Sequence, residues 1–176
     1  ELAFGLSVLA CTEVAEARYA EAEQVLSESI PLHQESGDTD RLAYTIAFRG
    51  YAARGLGQRA KAQSDFFQAL QSAIANQGIV PLLFALPGIA LLLADQGEVA
   101  WAVELYAHIA ELPFVANSKM RWDLAAQHLQ TVSVSLPPAV VTAAYTRGKT
   151  GDLWATASSL LIELSNQGWD KVNIFQ

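Results

Sequence analysis

The residues that most often do chemistry are few and scattered in this sequence. Gly148–Lys149–Thr150 resembles the end of a phosphate-binding loop, but that motif needs a glycine five residues before Gly148, where the chain has Ala143. A phosphate loop also follows a strand, and the surrounding pattern here is helical. We therefore expect no phosphate-loop function.

The histidines and the single cysteine also lack the spacing of a reactive site. His33, His108 and His128 are far apart, and no second histidine follows any of them at the helical spacing of a zinc motif. Cys11 stands alone, so we interpret it as a buried thiol, and we can assemble no set of nucleophile, base and orienting group. The sequence predicts a protein that is not an enzyme and needs no metal or cofactor.

Three aromatic residues recur at a regular interval and are candidates for binding. Phe4, Tyr44 and Phe84 are separated by forty residues each. If they form a row on one surface, they could stack against a ligand ring or bind an apolar peptide side chain. They could equally pack between successive helices, and the sequence leaves both interpretations open.

Charge is distributed unevenly along the first third of the chain. Nine of the 18 acidic residues lie within residues 1–40, whereas residues 41–61 contain five basic residues and no acidic one. Arg49 and Arg54 could meet an anionic ligand, or the bases could pair with acids of a neighbouring unit. With Tyr44 and Tyr51 on the face of Arg54, the candidate binding residues are Phe4, Tyr44, Arg49, Tyr51, Arg54 and Phe84.

The elements that must position these residues follow from an internal repeat. A pattern of small and large residues runs through Gly50, Gly57, Ala62, Phe66 and Ala69. It recurs forty residues earlier at Ala10, Ala17, Ala22, Leu26 and Ser29, and forty residues later at Ala90, Gly97, Ala102, Tyr106 and Ile109. Self-similarity at this period indicates stacked helix–turn–helix pairs.

The repeat sets the predicted boundaries. Three helix pairs cover residues 1–37, 40–78 and 80–112, a helical capping region covers 113–166, and residues 167–176 form an irregular tail. Gly37 and Gly78 are expected to end helices, and Asp152 to begin one. An interior Pro87 should bend or break the fifth helix.

Composition narrows the possible partners. The chain is 52% hydrophobic, carries a net charge of −7, and has one cysteine. The acidic balance disfavours nucleic-acid binding, and the cysteine usage suits a reducing cytoplasm.

The uncharged run 78–94 is short for a membrane span and falls in register with the repeat, so we predict a buried helix. No signal peptide is apparent, and we expect the chain to be a fragment of a longer protein.

The repeat residues resemble the tetratricopeptide repeat. Gly50 matches that family's small residue in the first helix, Gly57 its turn glycine, and Ala62, Phe66 and Ala69 the small–large–small pattern of the second helix. The period exceeds the usual length of about 34 residues. Long repeats of this kind are similar to those of large bacterial signalling ATPases and transcriptional activators of the maltose-activator type. The resemblance implies an all-α, right-handed superhelix whose first helices line a concave groove.

Three functions are compatible with these observations. The first is a scaffold that binds a peptide, a protein segment or another domain of its parent regulator. The second is a sensor that binds a small-molecule inducer beside Tyr44, Tyr51, Arg54 and Phe84. The third is self-association through an exposed end of the stack.

Overall fold

The computed structural model describes residues 1–116 and 122–171. Within those ranges the chain is all-α, with no strand. The first six helices are α1 (Leu2–Ala15), α2 (Tyr19–Ser36), α3 (Thr39–Gly55), α4 (Arg59–Ala75), α5 (Ile79–Asp95) and α6 (Val99–Ala110). Next come a short α7 (Pro113–Ala116), a π-helical segment (Trp122–Ala126) that continues into α8 (Gln127–Ser133), then α9 (Pro138–Thr150), α10 (Leu153–Asn166) and a 3-10 turn (Trp169–Lys171).

The turns between the first six helices recur every twenty residues. Ala17, Gly37, Gly57, Gln77 and Gly97 all have positive φ, between 55° and 89°. The predicted turns at Gly37, Gly57 and Gly97 are thereby confirmed. At the fourth turn the prediction was wrong, because Gln77 takes the left-handed conformation and Gly78 is the N-cap of α5.

Consecutive helices pack against each other, and the first helices of the pairs also pack side by side. α1 contacts α3, and α3 contacts α5. Two helices joined by so short a turn and packed along their lengths run antiparallel. The first-turn residues of α1, α3 and α5 are therefore brought to one end of the molecule.

Helix α5 forms the centre of the core. Every residue of the run 81–94 is buried, as expected for a helix that is apolar on all sides. The predicted break at Pro87 is absent, since α5 continues unbroken from Ile79 to Asp95. No helix in the described part of the chain is both long enough and apolar enough to cross a membrane.

The Phe66 ring fixes the spacing between α3, α4 and α5. A Cβ added at Gly50 would lie 2.8 Å from the ring, and one added at Gly88 would lie 2.1 Å from it. Real Cβ atoms essentially never come this close to another atom, so the Phe66 ring would have to move to admit a side chain at either position. The large residue of the repeat therefore packs between a glycine of its own pair and a glycine of the next.

The C-terminal helices lie against the second helices of the repeat pairs. α9 packs on α6, and α10 packs on α4. Trp169 in the 3-10 turn is buried, and its turn contacts α4 and α10. Asp152 accepts a hydrogen bond from the Ala155 backbone N–H, as the predicted cap of α10 should. Residues 117–121 of the predicted capping region and residues 172–176 of the predicted tail lie outside the described residues.

Candidate functional site

A groove lies at the N-terminal ends of α1, α3 and α5. Its volume is about 440 Å³, and it is open to solvent on one side. Seven residues line it: Phe4, Asp40, Arg41, Tyr44, Val80, Pro81 and Phe84. We call this the aromatic groove. It brings together the three aromatic residues that the forty-residue spacing singled out.

The aromatic residues of the groove are also packed against one another. The ring centroids of Tyr44 and Phe84 are 5.0 Å apart at an interplanar angle of 88°. Phe48, which sequence reasoning missed, lies 4.9 Å from both of these rings. Phe84 is buried, whereas Phe4 is 45% exposed. The inner rings thus form part of the core, and Phe4 offers accessible apolar surface.

Arg41 is a second groove residue that sequence reasoning did not select. Its guanidinium lies 4.8 Å from the centroid of the Phe4 ring and forms an ion pair with Asp38 at 3.4 Å. Arg41 and Phe4 also line a cavity of about 350 Å³ beside α2. The available signal was the repeat register, because Arg41 stands forty residues before Pro81 on the same groove wall.

Tyr51 occupies the core. It is 4% exposed, and its hydroxyl donates a 2.8 Å hydrogen bond to the backbone carbonyl of Phe84. Its ring meets Phe66 edge-on at 5.0 Å. The interior face of α3 is covered by α5, so Tyr51 links two helices and is far less accessible than Phe4.

The two candidate arginines are engaged in ion pairs. Arg49 makes a bidentate contact with the fully buried Asp65, with Nη2 to Oδ1 at 2.6 Å. Burial raises the pKa of Asp65, and the Arg49 guanidinium acts in the opposite direction. Arg54 binds Asp95 in the same bidentate way, at 2.7 and 2.8 Å, and its Nη2 lies 3.5 Å from Nε2 of His128.

A further ion pair joins Lys61 of α4 to Glu23 of α2. Together with the Arg54–Asp95 pair, it connects one helix pair to the next. This arrangement agrees with the interpretation that bases of one unit pair with acids of its neighbour.

A buried polar cluster joins α1, α2 and α3, and no sequence pattern indicated it. Ser7 Oγ lies 2.8 Å from Ser29 Oγ, 3.0 Å from His33 Nε2 and 2.8 Å from Thr45 Oγ1. A serine hydrogen-bonded to a histidine can act as a nucleophile with the histidine as its base. Ser7 is only 1% exposed, so this hydroxyl is closed to a substrate. Desolvation lowers the pKa of His33, which keeps the imidazole neutral. The cluster therefore satisfies buried polar groups between helices.

The other residues that first suggested chemistry have structural contacts. A Cβ at Gly148 would lie 2.2 Å from the backbone oxygen of Glu104, so this glycine permits the close approach of α9 to α6. Lys149 forms an ion pair with Glu111 at 2.6 Å. Cys11 is buried. Among the described residues, no three histidine, cysteine, aspartate or glutamate side chains are grouped to hold a metal ion.

A second apolar cavity of about 440 Å³ lies between α6, α8 and α9. Tyr106 and Tyr145 line it together with apolar residues such as Leu129. The sequence did not indicate this cavity, because two of the helices that form its wall, α8 and α9, lie outside the forty-residue register.

Comparison with protein-family models, with curated proteins and with solved structures finds no match to this chain.

Proposed function

We propose that this chain is a non-catalytic helical-repeat scaffold that binds an extended peptide or protein segment in the aromatic groove. The supporting observation is the convergence of Phe4, Tyr44 and Phe84 on one open groove, in the register of the repeat. Apolar anchors in a concave site, with charged groups at the edge, are typical of protein recognition surfaces. Arg41 and Asp40 supply those charges here.

The proposed architecture is a right-handed, tetratricopeptide-like superhelix. Three features support it: the twenty-residue turns, the side-by-side packing of α1, α3 and α5, and the resemblance of the repeat residues. By the same resemblance, we propose that the chain belongs to the sensor or interaction region of a bacterial transcriptional regulator or signalling ATPase in the cytoplasm. Its partner would then be another segment or domain of that regulator.

Phe4 and Val80 are the best positions to test peptide binding. Both line the groove and are close to half exposed, so their substitution should remove contact surface with little effect on folding. Peptides selected from a random library against the full chain should bind roughly tenfold more weakly to Phe4→Ser and Val80→Ser, measured by fluorescence anisotropy.

Ile162→Ser is the matched control, because Ile162 is exposed on α10 and does not line the groove. It should bind the selected peptides as the unchanged chain does. Peptides that bind all variants equally, or a library that yields no binder, would contradict peptide binding in this groove.

The second candidate function is binding of a small-molecule inducer, and the groove volume favours it. A cavity of about 440 Å³ lies within the range of about 300–1,000 Å³ that small-molecule sites occupy. A thermal-shift screen against metabolites and sugars separates the two functions. A compound whose stabilising effect disappears in Phe4→Ser would support the sensor over the peptide scaffold.

A further inference from the structure

The first helix exposes an apolar face. Leu2, Gly5, Val8, Leu9 and Thr12 share one side of α1, and all are exposed. Leu2 is 70% exposed and Leu9 is 45% exposed. We call these residues the outer stripe.

The repeat register shows what happens to the same positions in the later pairs. Forty and eighty residues on, they are Leu42, Thr45, Phe48, Arg49 and Ala52 in α3, and Leu82, Ala85, Gly88, Ile89 and Leu92 in α5. The α5 positions are all buried, and in α3 only the positions of Leu42 and Arg49 are not fully buried. The same repeat positions are therefore exposed on α1 but mostly buried on α3 and α5.

The preceding helix pair covers these positions. α4 packs on α5, and its Phe66 ring occupies the space beside Gly88. α2 packs on α3, and Thr45 bonds to Ser7 of α1. In both α3 and α5, the second helix of the preceding pair thus packs over the positions that correspond to the outer stripe.

The composition of α1 also matches that of a covered helix. Glu13 is the only charged residue in α1, just as Asp95 is the only one in α5. A helix that is apolar on all sides is typical of a protein interior. α5 is covered throughout its length from 81 to 94, whereas α1 is covered on one side only.

We propose that the outer stripe is a docking surface for a further helix–turn–helix pair of the same repeat class. The pair packs on α1 as α4 packs on α5, and its second helix presents a large apolar residue to Val8. The recurring α2–α3 and α4–α5 interfaces specify this occupant, because the outer stripe continues their surface in register. The proposal does not depend on what the aromatic groove binds.

The test uses the full chain extended at Glu1 by a second copy of residues 1–40. The copy ends with the Gly37–Asp38 turn, so its second helix precedes α1 in the native register. Amide hydrogen exchange in α1 should slow by roughly tenfold or more relative to the unextended chain. Val8→Asp in α1 of the extended chain should abolish this protection, while in the unextended chain it should change exchange little.

A matched control extension carries Leu26→Asp and Ile30→Asp within the copy, because both side chains are buried in α2, the helix that packs on α3. It should give no protection. A native copy that stays unfolded, or folds without slowing exchange in α1, overturns the proposal. So does concentration-dependent dimerisation of the unextended chain that Val8→Asp abolishes, because the occupant would then be a second copy.

Discussion

At the scale of single residues, the Phe66 ring fills space that Gly50 and Gly88 leave beside it. Gly88→Ala would place a Cβ 2.1 Å from that ring, so Phe66 must move within a close-packed core. We expect a loss of about 1–3 kcal/mol in the free energy of unfolding, measured by urea denaturation.

Gly5→Ala is the matched control for this substitution. Gly5 is also inside a helix, but no atom lies within 4 Å of its added Cβ. Helix propensity should then dominate and raise stability by up to about 1 kcal/mol. Phe66→Leu should recover part of the loss in Gly88→Ala. If Gly88→Ala is as stable as the unchanged chain, the Phe66 ring does not restrict this position.

At the residue scale, the repeat period was the informative signal in the sequence. The forty-residue spacing of Phe4, Tyr44 and Phe84 singles out these residues, and all three line one groove. The depth of Tyr51 was not predictable, because helical periodicity gives the direction of a side chain but not whether a neighbouring helix covers it. α5 covers Tyr51 and accepts its hydrogen bond.

At the scale of elements, the regular unit is one helix and one turn. Three of the five left-handed turn positions are glycines, Gly37, Gly57 and Gly97, whereas Ala17 and Gln77 adopt the same conformation without glycine. A left-handed conformation costs a side-chain-bearing residue about 1–2 kcal/mol. The helix ends are therefore predictable from spacing, while the residue type at each turn is not.

Ala17→Gly and Gln77→Gly should each stabilise the protein. Relief of the left-handed conformation outweighs the added freedom of glycine in the unfolded chain, so we expect about 0.5–1 kcal/mol per substitution in urea denaturation. Ala15→Gly, inside the last turn of α1, is the control and should destabilise by up to about 1 kcal/mol. Equal effects at positions 15 and 17 would rule out this account of the turns.

At the scale of the whole molecule, the buried cluster around Ser7 should make stability depend on pH. Desolvation lowers the pKa of His33, nearby Asp38 acts against this, and Arg41 reinforces it. Unfolded histidine titrates near pH 6.5, so below that pH the unfolded state binds more protons than the folded state. Stability should fall as the pH drops below about 6.5 and continue to fall through the lower folded-state pKa.

Urea denaturation between pH 7.5 and 5 checks this dependence. His33→Gln keeps a polar side chain beside Ser7 but cannot titrate, so its stability should vary less over the same range. A variant with the same pH profile as the unchanged chain would show that another group causes the decline.

The overall helical architecture was predictable because the period repeats three times, whereas the packing of α9 and α10 was not. These helices fall outside the forty-residue register, and their contacts with α6 and α4 depend on local features such as Gly148. The Ser7 cluster was equally invisible, since its members come from three helices with no common spacing.

The twenty-residue turn interval has a consequence for how such a chain can change length. One added helix and turn would reverse the direction of everything that follows, so groove-lining helices would exchange places with second helices. Duplication or loss of two such units leaves the direction of the following helices unchanged, so the groove-lining aromatic residues stay at the same end of the molecule. Viable length variants of this protein should therefore differ by even numbers of helices, in steps of forty residues.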